Sequence, residues 1–245
     1  MDYVEYEAGV RSDNFYHRAK NNLVEVLMNQ VCNRKTKLKI LNIGAGTGDE
    51  LKILNKYGDV YVIDISKESL SLIDPRLCAK KTLADARSLP FKNGFFDVVL
   101  SLDVFEHIKE DAKVAMEICR VLKKGGFLIW TVPAFQILFS NWDAALKHKR
   151  RYNKKAILRL LSKFDIVKLT YWNSILFIPI AIRRLIKKWV RTDDPQSRAL
   201  GDYLFSHLPS PLNSLCYGVL NFDNLLIKWN VPIPIGLSIA GYCRK

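Results

Sequence analysis

Cysteine is scarce in this sequence, and none of it pairs by spacing. Cys32, Cys78, Cys119, Cys216 and Cys243 are odd in number and scattered along 245 residues, which argues against a disulfide framework or a zinc site. No basic start followed by an apolar run opens the chain, so no secretory signal is expected. No uninterrupted apolar stretch reaches the roughly 20 residues that span a bilayer. On this reading the protein is cytoplasmic. Internal repeats and low-complexity segments are lacking too, which sets aside repeat arrays and disordered linkers. The last shortage is negative charge: 24 Asp and Glu stand against 38 Lys and Arg, for a formal net charge of +14. Such a balance favours anionic neighbours, whether nucleic acid, anionic lipid or a phosphorylated substrate, although a solvated basic face gives the same count.

Apolar residues make up 49% of the chain, enough for a substantial core, and the length fits one large α/β domain or one domain with an insertion. Residues 11–32 read as a helix with Leu23, Val24, Val26, Leu27 and Val31 on its apolar side. Leu38–Ile43 is a short strand ending in glycines, followed by a helix over Glu50–Lys56, a strand over Val60–Ile65 and a helix over Lys67–Ile73. A short strand at Thr82–Asp85 precedes Phe96–Ser101, a continuous apolar run typical of a buried parallel strand. A helix over Ala112–Leu122 is expected to stop at Lys123-Lys124-Gly125-Gly126, which has the composition of a helix C-terminus. Phe127–Val132 is a strand that Pro133 ends. The alternation predicts a parallel, doubly wound sheet. Later elements are strands at Asp165–Tyr171 and Leu237–Cys243 and a basic amphipathic helix at Ser174–Val190. The span 173–236 is too long for a loop and is expected to be a helical insertion or cap. The core is thus 1–172, completed by 237–245.

The chemistry-bearing feature is Gly44-Ala45-Gly46-Thr47-Gly48, set between a strand and a helix. Glycines there permit positive φ and let a ligand approach the backbone, and helix-start amides donate to anionic groups. Asp64 ends the next strand, where an acid binds ribose hydroxyls. A dinucleotide oxidoreductase competes for this pattern. Its fingerprint, however, has a third glycine where Asp49 stands, and the glycine here comes one residue early.

In order along the chain, LNIGAGTGDE, VIDIS, LADARSLPF, FDVVLSLDVFEHI and EICRVLKKGGFLIWTVP resemble the motifs of class I S-adenosylmethionine-dependent methyltransferases. The nearest branch is type 11, the ubiquinone/menaquinone-biosynthesis-like enzymes, and the likeness covers about residues 12–172. It implies a Rossmann-like, mostly parallel seven-stranded sheet and S-adenosyl-L-methionine as cofactor. By the same resemblance Gly44, Ala45 and Gly46 line its methionine and ribose portion. Asp64 takes the ribose hydroxyls, Ile65 packs on adenine, and Asp85, with Ala86 and Arg87 beside it, meets the adenine amino group. Ser101, Leu102 and Asp103 lie near the sulfonium. Phe15-Tyr16-His17-Arg18 occupies the place of an aromatic-aromatic-x-Arg element, in which Tyr16 borders the cofactor and Arg18 pairs with its carboxylate.

Methyl transfer needs positioning, exclusion of water and sometimes removal of a proton. His148 in His148-Lys149-Arg150-Arg151-Tyr152 resembles an element of relatives associated with sugar and glycan pathways. It is the candidate general base; Tyr152 and His107 are further catalytic candidates, and Arg150 and Arg151 are candidates for an anionic group of the acceptor. Asp103, Glu106 and His107 have the spacing of a divalent-cation site in some quinone-type O-methyltransferases. The same residues also suit a helix start, and no metal is assigned. Asp2, Glu5, Glu7 and Asp13 give an acidic N-terminal tail.

Residues 175–189 run from an apolar segment into paired cations and a Trp, a pattern that suits either a substrate-binding cap or a membrane interface. Nucleic acid is disfavoured as a partner, because no binding module flanks the core and the Asn/Asp-Pro-Pro-aromatic motif of base methylation is absent at Ser101-Leu102-Asp103-Val104. The expected reaction is methyl transfer to oxygen or nitrogen of a small or amphipathic acceptor. The alternatives are a silent cofactor-binding module and a membrane-surface enzyme acting on a lipid-linked acceptor.

Overall fold

The computed structural model describes residues 3–7, 9–10, 12–32, 37–189 and 208–245. After a short helix α1 (Tyr3–Glu7), α2 (Phe15–Val31) starts at Asn14, whose side chain accepts from the Tyr16 amide. The α/β alternation then runs β1 (Leu38–Ile43), α3 (Leu51–Leu54), β2 (Gly58–Asp64), α4 (Lys67–Leu72), β3 (Lys80–Leu83), β4 (Phe96–Leu102), α5 (Asp111–Val121) and β5 (Leu122–Pro133). It continues through α6 (Asn141–Ala145), α7 (Lys154–Leu160), β6 (Asp165–Trp172), α8 (Phe177–Trp189), α9 (Ser210–Lys228) and β7 (Ser238–Arg244).

The strands form a seven-stranded sheet in the order β3-β2-β1-β4-β5-β7-β6. β1 to β5 are parallel, and β7 is inserted antiparallel between β5 and β6. The order reverses beside β1, which pairs with β2 on one side and β4 on the other. A crevice at the carboxyl ends of these strands follows, because the crossover connections leave in opposite directions. The apolar runs explain the sheet's position. Ile40, Leu41, Val98, Val99, Leu100, Leu128, Ile129 and Trp130 are essentially inaccessible, as expected for strands covered on both faces.

One expectation changes. Lys123-Lys124-Gly125-Gly126 does not close a helix: α5 ends at Val121, and the four residues belong to β5. Leu122 already pairs with Phe96, and Gly125, at φ 76, donates its amide to the Lys245 carbonyl. The glycine thus serves a bend within a strand. The described residues of the span 173–236 form two helices that pack in different places. α9 packs along α2, burying Leu220 and Ile227 in the main core, while Asn224 accepts from Trp172 Nε1 and donates to the Ala19 carbonyl. α8 instead joins a small separate cluster with Leu138, Ala181 and Leu237. The expected helix end at Val190 lies outside the described residues, and no described helix is long and apolar enough to cross a membrane. The cysteines are free, with Cys243 buried and the others partly so.

Candidate active site

A cavity of about 1190 Å³ opens at the carboxyl ends of β1, β2 and β4. One end is built by the glycine turn. Gly44, Gly46 and Gly48 all adopt positive φ, and a Cβ at Gly44 would stand 2.7 Å from Val104 Cγ2. The turn is closed by the Gly48 amide on the Ala45 carbonyl and by the Gly46 amide on Asp64 Oδ2 at 3.1 Å. Asp64 Oδ1 accepts from the Ser66 amide at 2.9 Å, so the carboxylate stands fixed at the end of β2. Beside it Ile65 is 74% exposed while lining the cavity, an apolar surface that a planar ring would cover. Asp85 lines the same end, but its carboxylate is gripped by Arg87 through Nε and Nη2, at 3.0 and 2.6 Å from Oδ2. The guanidinium holds Asp85 below the usual carboxylate range and extends to Glu110.

The middle of the cavity is formed by Asp103 and α2. Asp103 has φ 54, a conformation unusual for a non-glycine residue and most often retained at functional sites. Three contacts hold it: its amide on the Thr131 carbonyl, Thr131 Oγ1 on Oδ1 at 2.9 Å, and Lys20 Nζ on Oδ2 at 2.6 Å. Burial penalises the carboxylate, yet Lys20 and Thr131 outweigh it and keep Asp103 ionised below its ordinary range. Lys20 is likewise opposed by burial but held above the lysine range by Asp103.

The far end is set by the segment after β5. Tyr152 bridges to Ala134 and exchanges backbone hydrogen bonds with Pro133 and Phe135, which folds the His148 loop back over the strand end. Buried Asp143 organises this loop. It accepts from the Ser140 amide at 2.8 Å, from Arg151 Nε at 2.8 Å, and faces His148 Nδ1 at 3.1 Å. Burial alone would raise its pKa, but His148 and Arg151 pull it below the carboxylate range. An ionised carboxylate only accepts, so His148 Nδ1 carries the proton and Nε2 presents a lone pair in the neutral ring. Glu106 is fully buried beside this group. Burial, followed by the charge of Asp103, pushes its pKa well up.

The structure thus brings Tyr16, Gly44, Ala45, Gly46, Asp64, Ile65, Asp85, Ala86, Arg87, Leu102, Asp103, His107, His148 and Arg151 to one cavity. Four expected residues do not line it. Arg18 turns away and stacks over the Tyr217 ring at 4.2 Å, because it lies two residues from both Tyr16 and Lys20, on the opposite side of α2 from the face that lines the cavity. Ser101 is wholly buried within β4. Arg150 bonds Asp111 and the Lys109 carbonyl, and Tyr152 donates to Asp111 at 2.7 Å. Arg151 reaches the wall, but it is 9% exposed and committed to Asp143; buried ion pairs of this kind hold structure. Lys20 and Asp143 were not singled out by sequence reading. The apolar lining at Leu146, Leu176, Ile180 and Leu237, with Trp142 and Arg183, also emerges only from the fold.

Residues 41–130 match the type 11 family of the methyltransferase domain. Over this segment the chain carries an S-adenosylmethionine-dependent methyltransferase domain. The methyltransferase domain is 34% identical over 126 residues to the 2-methyl-6-phytyl-1,4-hydroquinone methyltransferase of Synechocystis, a match covering 42% of this chain and 40% of that protein. An uncharacterized protein of Methanocaldococcus jannaschii is 29% identical over 187 residues, 71% of this chain and 78% of its own. In fold the chain resembles phosphoethanolamine N-methyltransferase 2 of Haemonchus contortus, solved with S-adenosyl-L-methionine. That likeness has a TM-score of 0.57 at 18% identity and covers 92% of this chain and 52% of the other. The glycine cradle, the exposed Ile65 and the Asp64 carboxylate at the end of β2 fit this cofactor, which carries an adenine, a ribose and no phosphate.

Proposed function

We propose that the methyltransferase moves a methyl group from S-adenosyl-L-methionine to a hydroxyl or amine of an amphipathic acceptor that bears an anionic group. One observation carries this reading: the glycine turn with Asp64 and the Asp143–His148 pair open into a single cavity. Asp64 would bind the ribose, Ile65 the adenine, and Tyr16 and Lys20, in place of Arg18, would border the methionine end. When bound, the cofactor supplies a methyl carbon that an acceptor lone pair attacks while the C–S pair stays on sulfur. The chain supplies position and a route for the proton. Asp143 holds the His148 ring by Nδ1, so that Nε2 accepts a proton from the acceptor. Leu146, Leu176, Ile180 and Trp142 bury the apolar part, and Lys147, Lys149 and Arg183 surround it with positive charge. A relative named for a phytyl hydroquinone is in keeping with the amphipathic, hydroxyl-bearing part of this acceptor and not with its anionic group.

Calorimetry with adenosylhomocysteine and NAD tests the donor. Adenosylhomocysteine should bind, and Asp64→Ala should weaken it by about 1–3 kcal/mol through lost charge-assisted hydrogen bonds. Binding of NAD without adenosylhomocysteine would overturn the reading. With methyl-labelled cofactor and a panel of phenolic and amine acceptors, His148→Ala should lower turnover about 10²–10⁴-fold at nearly unchanged adenosylhomocysteine affinity. Equal turnover would reduce His148 to scaffold.

A membrane-surface variant of this reading draws on α8 and the residues just before it. Ile175, Ile178, Ile182 and Ile186 are each about half exposed on one side, while Leu176, Ile180 and Arg183 face the cavity. Co-sedimentation with anionic vesicles, lost on replacing the four isoleucines by serine, is the result this variant expects.

A further inference from the structure

Glu106 is unexplained by methyl transfer as described above. Its side chain is inaccessible to bulk solvent and lines the cavity, and neither carboxyl oxygen has a hydrogen-bond partner among the described residues. Buried polar groups are nearly always paired, because stripping a carboxyl of water without replacement is costly. An orphan in a cavity wall is therefore expected where a ligand completes it.

The surroundings define that ligand. The donor atoms of Glu106, His107 and His148 all lie within 4.8 Å of one another, and the two imidazole rings stand edge to face at 4.6 Å. The loop carrying His148 is fastened to the Glu106 segment by the Lys149 amide on the Glu106 carbonyl at 2.7 Å. One carboxylate and two imidazoles form a donor set for borderline divalent ions, and three protein ligands leave a coordination position open. The outer layer is also present. Asp143 accepts from the second nitrogen of His148, the contact that orients metal-binding imidazoles. Asp103 is not part of the set, since Lys20 and Thr131 occupy its oxygens; the triad therefore differs from the Asp103, Glu106 and His107 spacing visible in the sequence.

We propose that Glu106, His107 and His148 bind one divalent first-row transition cation, which holds the oxygen of a hydroxyl acceptor. This rests on the methyl-transfer reading of the cavity. With the ion present, the acceptor oxygen stays on the cation as its proton passes to water, and His148 acts as a ligand instead of taking that proton itself. The ion keeps its valence, so no oxidant or reductant is required.

The full chain, stripped with a chelator, is titrated separately with Zn²⁺, Mn²⁺ and Co²⁺, using calorimetry and, for Co²⁺, visible absorption. One equivalent should bind, with Co²⁺ bands of nitrogen coordination. Glu106→Gln and His148→Ala should each weaken binding at least about tenfold, and Asp143→Asn, which keeps all three ligands, about 10–100-fold. Adenosylhomocysteine affinity of Glu106→Gln, expected unchanged, reports that the fold survives. No ion bound at micromolar concentration, or equal binding by Glu106→Gln and His148→Ala, overturns the site. Adenosylhomocysteine binding without any cation would leave methyl transfer standing and remove this proposal. Cation binding without adenosylhomocysteine binding would remove the methyl-transfer reading on which the ion's role depends.

Discussion

Gly44 and Gly94 have nearly the same φ, +64 and +63, yet different neighbours. A Cβ on Gly44 meets Val104 Cγ2 at 2.7 Å, whereas on Gly94 the nearest atom is Lys123 Cα at 3.9 Å. Both alanine variants bear the left-handed backbone penalty of about 1–2 kcal/mol. Gly44→Ala must in addition displace Val104 at the cavity wall. Denaturant unfolding should therefore show the larger loss for Gly44→Ala, and calorimetry should show weakened adenosylhomocysteine binding for that variant alone. Equal binding by wild type and Gly44→Ala would mean that the ligand does not use this turn. Gly44 was legible in sequence because a tight strand-to-helix turn is a local requirement. Its clash partner was not, since Val104 arrives from the turn that follows β4. Arg18 shows the opposite: the residue type was right for a carboxylate, but its side of α2 was decided by the packing of α9.

Among the elements, the α6 loop depends most on a single ionised group. Asp143 ties together Ser140, His148, Arg151 and Arg184 while its own side chain is 1% exposed. Its folded pKa lies below the ordinary 3.8, so its contribution to stability is fully present above that value and fades as pH falls through the lower folded value. Asp143→Asn removes the charge and leaves buried Arg151 unpaired, at a cost of about 3–5 kcal/mol. Wild type and Asp143→Asn should thus differ most in unfolding free energy near neutral pH and converge below pH 3.8. A constant difference down to strong acid would show that the carboxylate's charge is not what holds the loop. Elements with a local signature, such as β1 and β4 with their apolar runs, were readable in advance. Lys123-Lys124-Gly125-Gly126 was not, because the same composition ends a helix or bends a strand. Pairing of Leu122 with Phe96 and of Gly125 with Lys245 decides between the two.

Across the whole molecule, one apolar core runs from Phe15 on α2 to Cys243 on β7 and takes in Leu220 and Ile227 of α9. A cofactor crevice built on this core couples ligand binding to global unfolding. Adenosylhomocysteine at one hundred times its dissociation constant should stabilise the fold by about 2.7 kcal/mol, seen as one cooperative melting transition moved upward. A ligand-insensitive main transition would separate the crevice from the core. What the sequence by itself determined was the doubly wound sheet, the glycine cradle and the acid at the end of β2. These rest on short-range periodicity, backbone conformation and an ordered series of motifs. The tertiary structure alone decided that Lys20 and not Arg18 faces the cavity, that Arg150 and Tyr152 close on Asp111, and that Asp143 supports His148. It also brought Glu106, His107 and His148 together. Such partnerships depend on which distant segments the sheet carries to one crevice, and no local pattern encodes that distance.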